Sequence, residues 1–220
     1  MTRVTGVVPG VVPSVLLGLV LALLPAWATA TAEAAAPSHR AVLVFAKNHD
    51  DPFDSRLVWS LYERRGAEER LVERRDWRAG AGLPARGGKD PCVRSVGWPP
   101  DGSYRLTYHR DYGGNAIKGR AFRMDDKACR DGTVRRSLFI HTEQGAGSRQ
   151  CADRPGDQLC RWEWPRINDY KSNGCLKMSP GDLRELAGLF ERRFSAGVHP
   201  PLSRVDLQVR TVRPRWISQH

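Results

Sequence analysis

Lysine is scarce in this chain, supplying 6 of 35 basic residues against 29 arginines, and no five cations stand in a row. The formal charge of +11 is therefore spread along the chain, which describes a solvated face rather than a nucleic-acid groove. No Cys-x-x-Cys or His-Glu-x-x-His spacing occurs, so no metal and no cofactor is expected. His39, His49, His109, His199 and His220 follow no pattern and are taken as surface or structural residues. Beyond residue 36 no apolar run is long enough to span a bilayer, and no repeat or low-complexity tract appears. With 40% hydrophobic and 27% charged residues the chain is neither disordered nor a polytopic membrane protein. Its 220 residues support one domain with a buried core.

The compartment is written in the first 36 residues. Arg3 precedes an apolar stretch, and small-residue pairs follow at Ala26/Ala28, Ala28/Ala30 and Ala30/Ala32. This is the pattern of a secretory signal peptide. An uncut anchor fits less well, because Val15 to Leu24 lies between Pro13 and Pro25 and is short of the ~20 residues a span needs. Cleavage would remove only Arg3 and Glu33 among charged residues, leaving a basic, secreted domain over 37–212 with a tail at 213–220. There are five cysteines, so in an oxidising compartment at least one lacks an intramolecular partner.

Strands dominate the expected structure. Arg40 to Ala46 is a short β-branched run, and 104–108 alternates as a strand does after the Trp98 to Ser103 turn. Residues 57–62 and 71–77 flank an Arg/Glu-rich middle with Gly66. Propensity there is helical, but no apolar stripe crosses it, so a long hairpin is expected. Val134 to His141 ends in a buried strand, and 205–210 alternates again. The long aperiodic stretch 142–171 is of the kind that is functional or stapled. One helix is clear: Ser179 as N-cap, Pro180 first, Asp182 in the first turn, and Leu183, Leu186, Ala187, Phe190 and Phe194 on one stripe, with Gly197 to close it.

Two residues can form a nucleophile and base. His141 ends a strand, and Cys175 lies in Lys171-Ser-Asn-Gly-Cys-Leu-Lys-Met178 ahead of the helix. A nearby imidazole is expected to lower the thiol pKa, and Gly174 lets the chain turn so that amides face a developing oxyanion. Spacing alone does not select this pair. Cys151 and Cys160 bracket a short loop, but a Cys160–Cys175 bridge remains an alternative by count.

Three blocks resemble the L,D-transpeptidase (YkuD-like) catalytic domain. Pro100-Asp-Gly-Ser-Tyr104 looks like the family's Pro-x-Gly-x-Phe block, and Leu138-Phe-Ile-His141 like the block carrying its histidine. Ser172-Asn-Gly-Cys-Leu-Lys-Met178, followed by Asp182 and Leu183, looks like its Ser-x-Gly-Cys-Ile-Arg-Met block. The likeness covers most of 55–210, in the family's order. It departs at Thr142-Glu143, where Gly is usual, at Asn173, where a second His or a basic residue is common, and at Lys177, which replaces Arg or Asn. The gap from His to Cys is about twice the usual one, with 145–165 as the insertion.

The resemblance implies a mainly-β fold, a mixed β-sandwich with one helix at about 180–195. It implies Cys175 as nucleophile, His141 as base, Gly174, Ser172 and Asn173 around the oxyanion, and Lys177 toward substrate. The motif chooses the pairing Cys92–Cys129 and Cys151–Cys160, because that leaves Cys175 free. The implied reaction is acyl transfer on peptidoglycan stem peptides, giving 3→3 cross-links at the cell envelope. Hydrolysis by the same residues would make an L,D-carboxypeptidase. Papain-like and NlpC/P60 peptidases run Cys before His, opposite to this chain. Sortases run His, Cys, Arg, which Arg184 would satisfy, but Lys171 to Gly174 is not their Thr-rich strand. The reading of another class is a non-catalytic basic domain that binds anionic wall polymers, or nucleic acid stacked on Trp77, Trp98, Trp162 and Trp164.

Overall fold

Alternation of apolar and polar residues sets the strands, and a computed structural model describes Gly6, Gly10, 37–194 and 201–212. The expected signal peptide, the tail at 213–220 and Gly197 lie outside the described residues. The elements are β1 (Ser38–Asn48), β2 (Ser55–Arg65), β3 (Glu68–Ala79), β4 (Gly102–Gly113), β5 (Lys118–Met124), β6 (Lys127–Ala128), β7 (Val134–Arg135), β8 (Phe139–His141), β9 (Leu176–Lys177), α1 (Pro180–Phe194) and β10 (Pro201–Val212). The protein is mainly β with one α-helix.

Eight strands make one mixed sheet in the order β3-β2-β1-β10-β4-β5-β8-β9, and β6 pairs with β7 apart from it. β1 runs parallel to β10 and β8 parallel to β9; the other pairs are antiparallel. The sheet bends back on itself. Gly80, just past β3, exchanges both main-chain hydrogen bonds with Lys177 of β9 at 2.8 Å, joining the two outer strands. That junction blunts edges that would otherwise pair with another chain.

The Arg/Glu-rich middle is indeed a hairpin, β2 with β3, turning at Gly66 with φ +61. Two sequence expectations change, and one strand, β5, had no sequence signal. Val134 to His141 is two strands, because Ser137 takes φ +56 and breaks the run between β7 and β8. β5 carries Lys118, Arg120 and Arg123 and no clean alternation, yet it lies between β4 and β8. Trp77 and Trp98 are buried in the core rather than displayed for stacking, with Trp77 Nε1 donating to Glu185 and Trp98 Nε1 to Ala81 O.

The helix begins as its cap predicts: Ser179 Oγ accepts from the Asp182 amide at 3.2 Å. Leu183, Leu186, Ala187, Leu189 and Phe190 are its buried face. Phe190 meets Tyr108 of β4 and Phe122 of β5, with ring centroids 5.0 and 5.9 Å apart, and Tyr108 Oη donates to Glu191 at 2.6 Å. Each buried aromatic or leucine there contributes about 1.5–3 kcal/mol. This packing fixes the chain that leaves β9, and with it the position of Cys175.

Disulfides join Cys92 to Cys129 and Cys151 to Cys160, and Cys175 is free. Two disulfides fit an oxidising compartment. No helix among the described residues is long and apolar enough to cross a membrane. The second disulfide staples the long segment between β8 and β9, which also carries a 3-10 turn at Ala146–Ser148.

Candidate active site

Parallel pairing of β8 with β9 builds the site. Ile140 stands opposite Leu176 and His141 opposite Lys177. Side chains alternate along a strand, so Ile140 and Leu176 enter the core while their neighbours face the other way. Phe139, His141, Cys175 and Lys177 all line one cleft of about 900 Å³. Cys175 and His141 thus share a face of adjacent strands, in diagonal positions.

The imidazole is oriented by the main chain. His141 Nδ1 lies 3.1 Å from Thr142 O, so Nδ1–H is the donor there and Nε2 keeps its lone pair. His141 is 6% exposed. Burial, reinforced by the positive charge of Lys177, pushes its pKa down to about 3. The Cys175 thiol points to Ser137 O at 3.9 Å. Burial drives its pKa up to about 11, against the opposing effects of the Phe139 amide, Lys177 and Arg135. The resting pair is a neutral thiol and a neutral imidazole. The expectation that the histidine lowers the thiol pKa is reversed in this state, because removal from water outweighs the neighbouring charges.

The turn before Cys175 is tied internally. Ser172 Oγ donates to Cys175 O at 2.5 Å and accepts the Gly174 amide at 3.2 Å. The Gly174 N–H is therefore engaged rather than open to an oxyanion. Gly174 has φ +108, a conformation L side chains rarely adopt. Asn173 is exposed at the cleft, and its carbonyl accepts from Arg135.

Lys177 lines the cleft but is not a free cation. It is buried and hydrogen-bonded to Glu143, two residues beyond His141. Burial raises the Glu143 pKa, and Lys177 holds it back. Removing one partner of a buried pair leaves an uncompensated charge. Lys177→Met should therefore destabilise the fold by roughly 3 kcal/mol in urea unfolding, and adding Glu143→Gln should recover most of it. An unchanged midpoint in the single variant would show the pair to be inconsequential.

Carboxylate oxygens of Glu143, Asp157, Glu163 and Asp169 lie within 4.8 Å of one another, an arrangement that could hold a cation. Two positive charges already serve it: Lys177 on Glu143, and Lys171 at 2.7 Å from Asp157. The other group of potential ligands, Cys92, Cys129 and Asp131, has both sulfurs locked in a disulfide. Sequence reasoning missed Glu143 and Arg135 as parts of the site. Glu143 had a signal in its nearness to His141, whereas Arg135 is one arginine among 29.

No family model matches the chain, and no curated protein matches it either. Among solved structures, Bd1075 of Bdellovibrio bacteriovorus is similar at a TM-score of 0.40 and 15% identity, over 78% of this chain and 48% of that one. The chain spans about half the length of that protein, and a likeness of this degree supports no argument about function.

Proposed function

We propose that the protein is an exported cysteine acyl-transferase of the L,D-transpeptidase type, acting on peptidoglycan stem peptides. One observation carries this reading: the free thiol of Cys175 and an imidazole anchored through Nδ1 line one cleft from adjacent parallel strands. The three sequence blocks and two disulfides agree with it. In the acylation step Cys175 Sγ passes its proton to His141 Nε2 and attacks the carbonyl carbon of the donor peptide bond. The carbonyl π electrons move onto oxygen. As they return, the carbon–nitrogen bond breaks, and the leaving amine takes the proton from Nε2. The thioester is then resolved by an amine of a second stem, whose proton returns through His141 to the thiolate.

Burial of both groups suits a reaction that starts from the neutral pair, since charge then forms only as substrate excludes water. The cleft, about 900 Å³ and lined by Cys175, has the volume to take a peptide. Intact-mass spectrometry of the disulfide-bonded protein with a carbapenem tests the reading. A one-to-one covalent adduct is expected, and Cys175→Ala should lose it completely. A wild-type protein that forms no adduct, yet binds anionic wall polymer with steep salt dependence, would replace this reading with the binding one.

A further inference from the structure

Arg135, at the end of β7, is 3% exposed and has no carboxylate partner among the described residues. Its guanidinium is spent on main-chain carbonyls. Nη1 donates to Pro91 O at 2.6 Å and Trp98 O at 2.8 Å; Nη2 donates to Gly97 O at 3.0 Å and Asn173 O at 3.4 Å. Those acceptors come from two segments, the 91–98 loop and the turn before Cys175. A guanidinium keeps its charge under all ordinary conditions, and a buried charge normally has a counter-charge. Carbonyl dipoles satisfy its N–H groups but do not neutralise it.

Three groups that can carry negative charge act on Arg135, namely Tyr104, Cys175 and Asp90, and of these only Cys175 follows the turn that the guanidinium holds. A Cβ built on Gly174 would lie 2.2 Å from Arg135 Nη2, so the guanidinium presses on the residue that precedes Cys175. The charges of Arg135 and of a Cys175 thiolate act on each other, as do those of Arg135 with Tyr104, Arg94 and Asp90. Around the sulfur the other groups that matter are Lys177, paired with Glu143, neutral His141 and the Phe139 amide. Lys177 is thus partly cancelled by its own carboxylate. Arg135 is not.

We propose that Arg135 is the counter-charge of the Cys175 thiolate and the clamp that holds its turn against the 91–98 loop. It is a positioning residue, and its assignment rests on Cys175 being the nucleophile. When the proton leaves sulfur, the buried cation gains a buried anion, which offsets part of the cost that burial sets on the thiolate. Asn173 O and Gly97 O fix the distance, because one nitrogen holds both.

Iodoacetamide alkylation tests this, since it reports the thiolate whether or not the protein transfers acyl groups. Cys175 is the free cysteine among the described residues, so the mass shift reads one site. Arg135→Gln, which keeps donors without charge, should alkylate about tenfold more slowly than wild type at each pH from 7 to 10, one pH unit being tenfold in thiolate. Arg135→Lys, which keeps the charge, should stay within about threefold. A clamp of structural value alone predicts otherwise: either variant would loosen the turn, lower the melting temperature and leave alkylation unchanged or faster. That outcome overturns the proposal, as does equal slowing in both variants. A wild type that alkylates on this curve but forms no carbapenem adduct would sink the acyl-transfer reading and leave the Arg135 comparison intact.

Discussion

Replacing His141 with Ala is expected to slow acylation of Cys175 by about 10²–10⁴-fold, the usual worth of a positioned general base. The thiol makes the dependence sharp. With its pKa pushed up to about 11, only about one molecule in 10⁴ carries the thiolate unaided at pH 7, so the proton must leave as the sulfur–carbon bond forms, with Nε2 as its acceptor. Stopped-flow or mass-resolved carbapenem acylation measures it, and a His141→Ala rate near wild type would mean that another base serves the sulfur. The same histidine sets the pH behaviour. An ordinary imidazole would impose an acid limb near pH 6.5. Held near 3, His141 stays a base, so acylation should be flat from about pH 5 to 9.

Stability responds with a definite sign. Below about pH 6.5 the unfolded chain takes up a proton at His141 that the folded protein refuses until about pH 3. Folding stability is therefore lost as pH falls through that window, at about 1.4 kcal/mol per unit. Glu143, whose pKa is raised, acts in the opposite direction, so the comparison must isolate the histidine. The wild-type advantage over His141→Ala should shrink by about 2 kcal/mol between pH 7 and pH 5 in urea unfolding. A constant difference would place His141 in water.

Gly174→Ala should cost about 3–5 kcal/mol, combining backbone strain with the disruption of buried hydrogen bonds. At φ +108 an added Cβ would stand 2.2 Å from Arg135 Nη2 and 2.7 Å from Gly97 O. Neither neighbour can yield without loss: one is a buried cation held by four carbonyls, the other main chain. For a domain of this size the melting temperature should fall by roughly 10 °C. Acylation should fall by about 10²-fold even where the variant folds, since the turn that aims Sγ would move. A variant with normal melting and normal acylation would refute the close approach.

Local pattern made part of the site legible. The Ser179 cap and the three-four spacing from Leu183 to Phe190 announce the helix, and Gly174-Cys175 announces a nucleophile turn. A β-branched apolar run announces β1, period-two alternation announces β4 and β10, and the want of an apolar stripe separates the β2–β3 hairpin from a helix. Each of these depends on residues within a few positions of one another. β5 escaped because its arginines obscure the alternation, and the break in Val134 to His141 escaped because nothing in Ser137 betrays a positive φ.

What the amino-acid order determined by itself was a strand-rich chain, a capped helix after the Gly174-Cys175 turn, and a free cysteine once a motif had chosen among pairings. Only the tertiary structure decided the chemistry of the site. Parallel pairing of β8 with β9, across a segment of some thirty residues, set His141 and Cys175 on one face. Burial made both neutral, turned Lys177 from a candidate substrate ligand into the partner of Glu143, and left Arg135 bonded to main-chain carbonyls of the 91–98 loop and of the turn before Cys175. Strand pairing and the loss of water are long-range effects. No window of sequence contains them, and they set the direction of the pKa shifts at His141, Cys175 and Glu143.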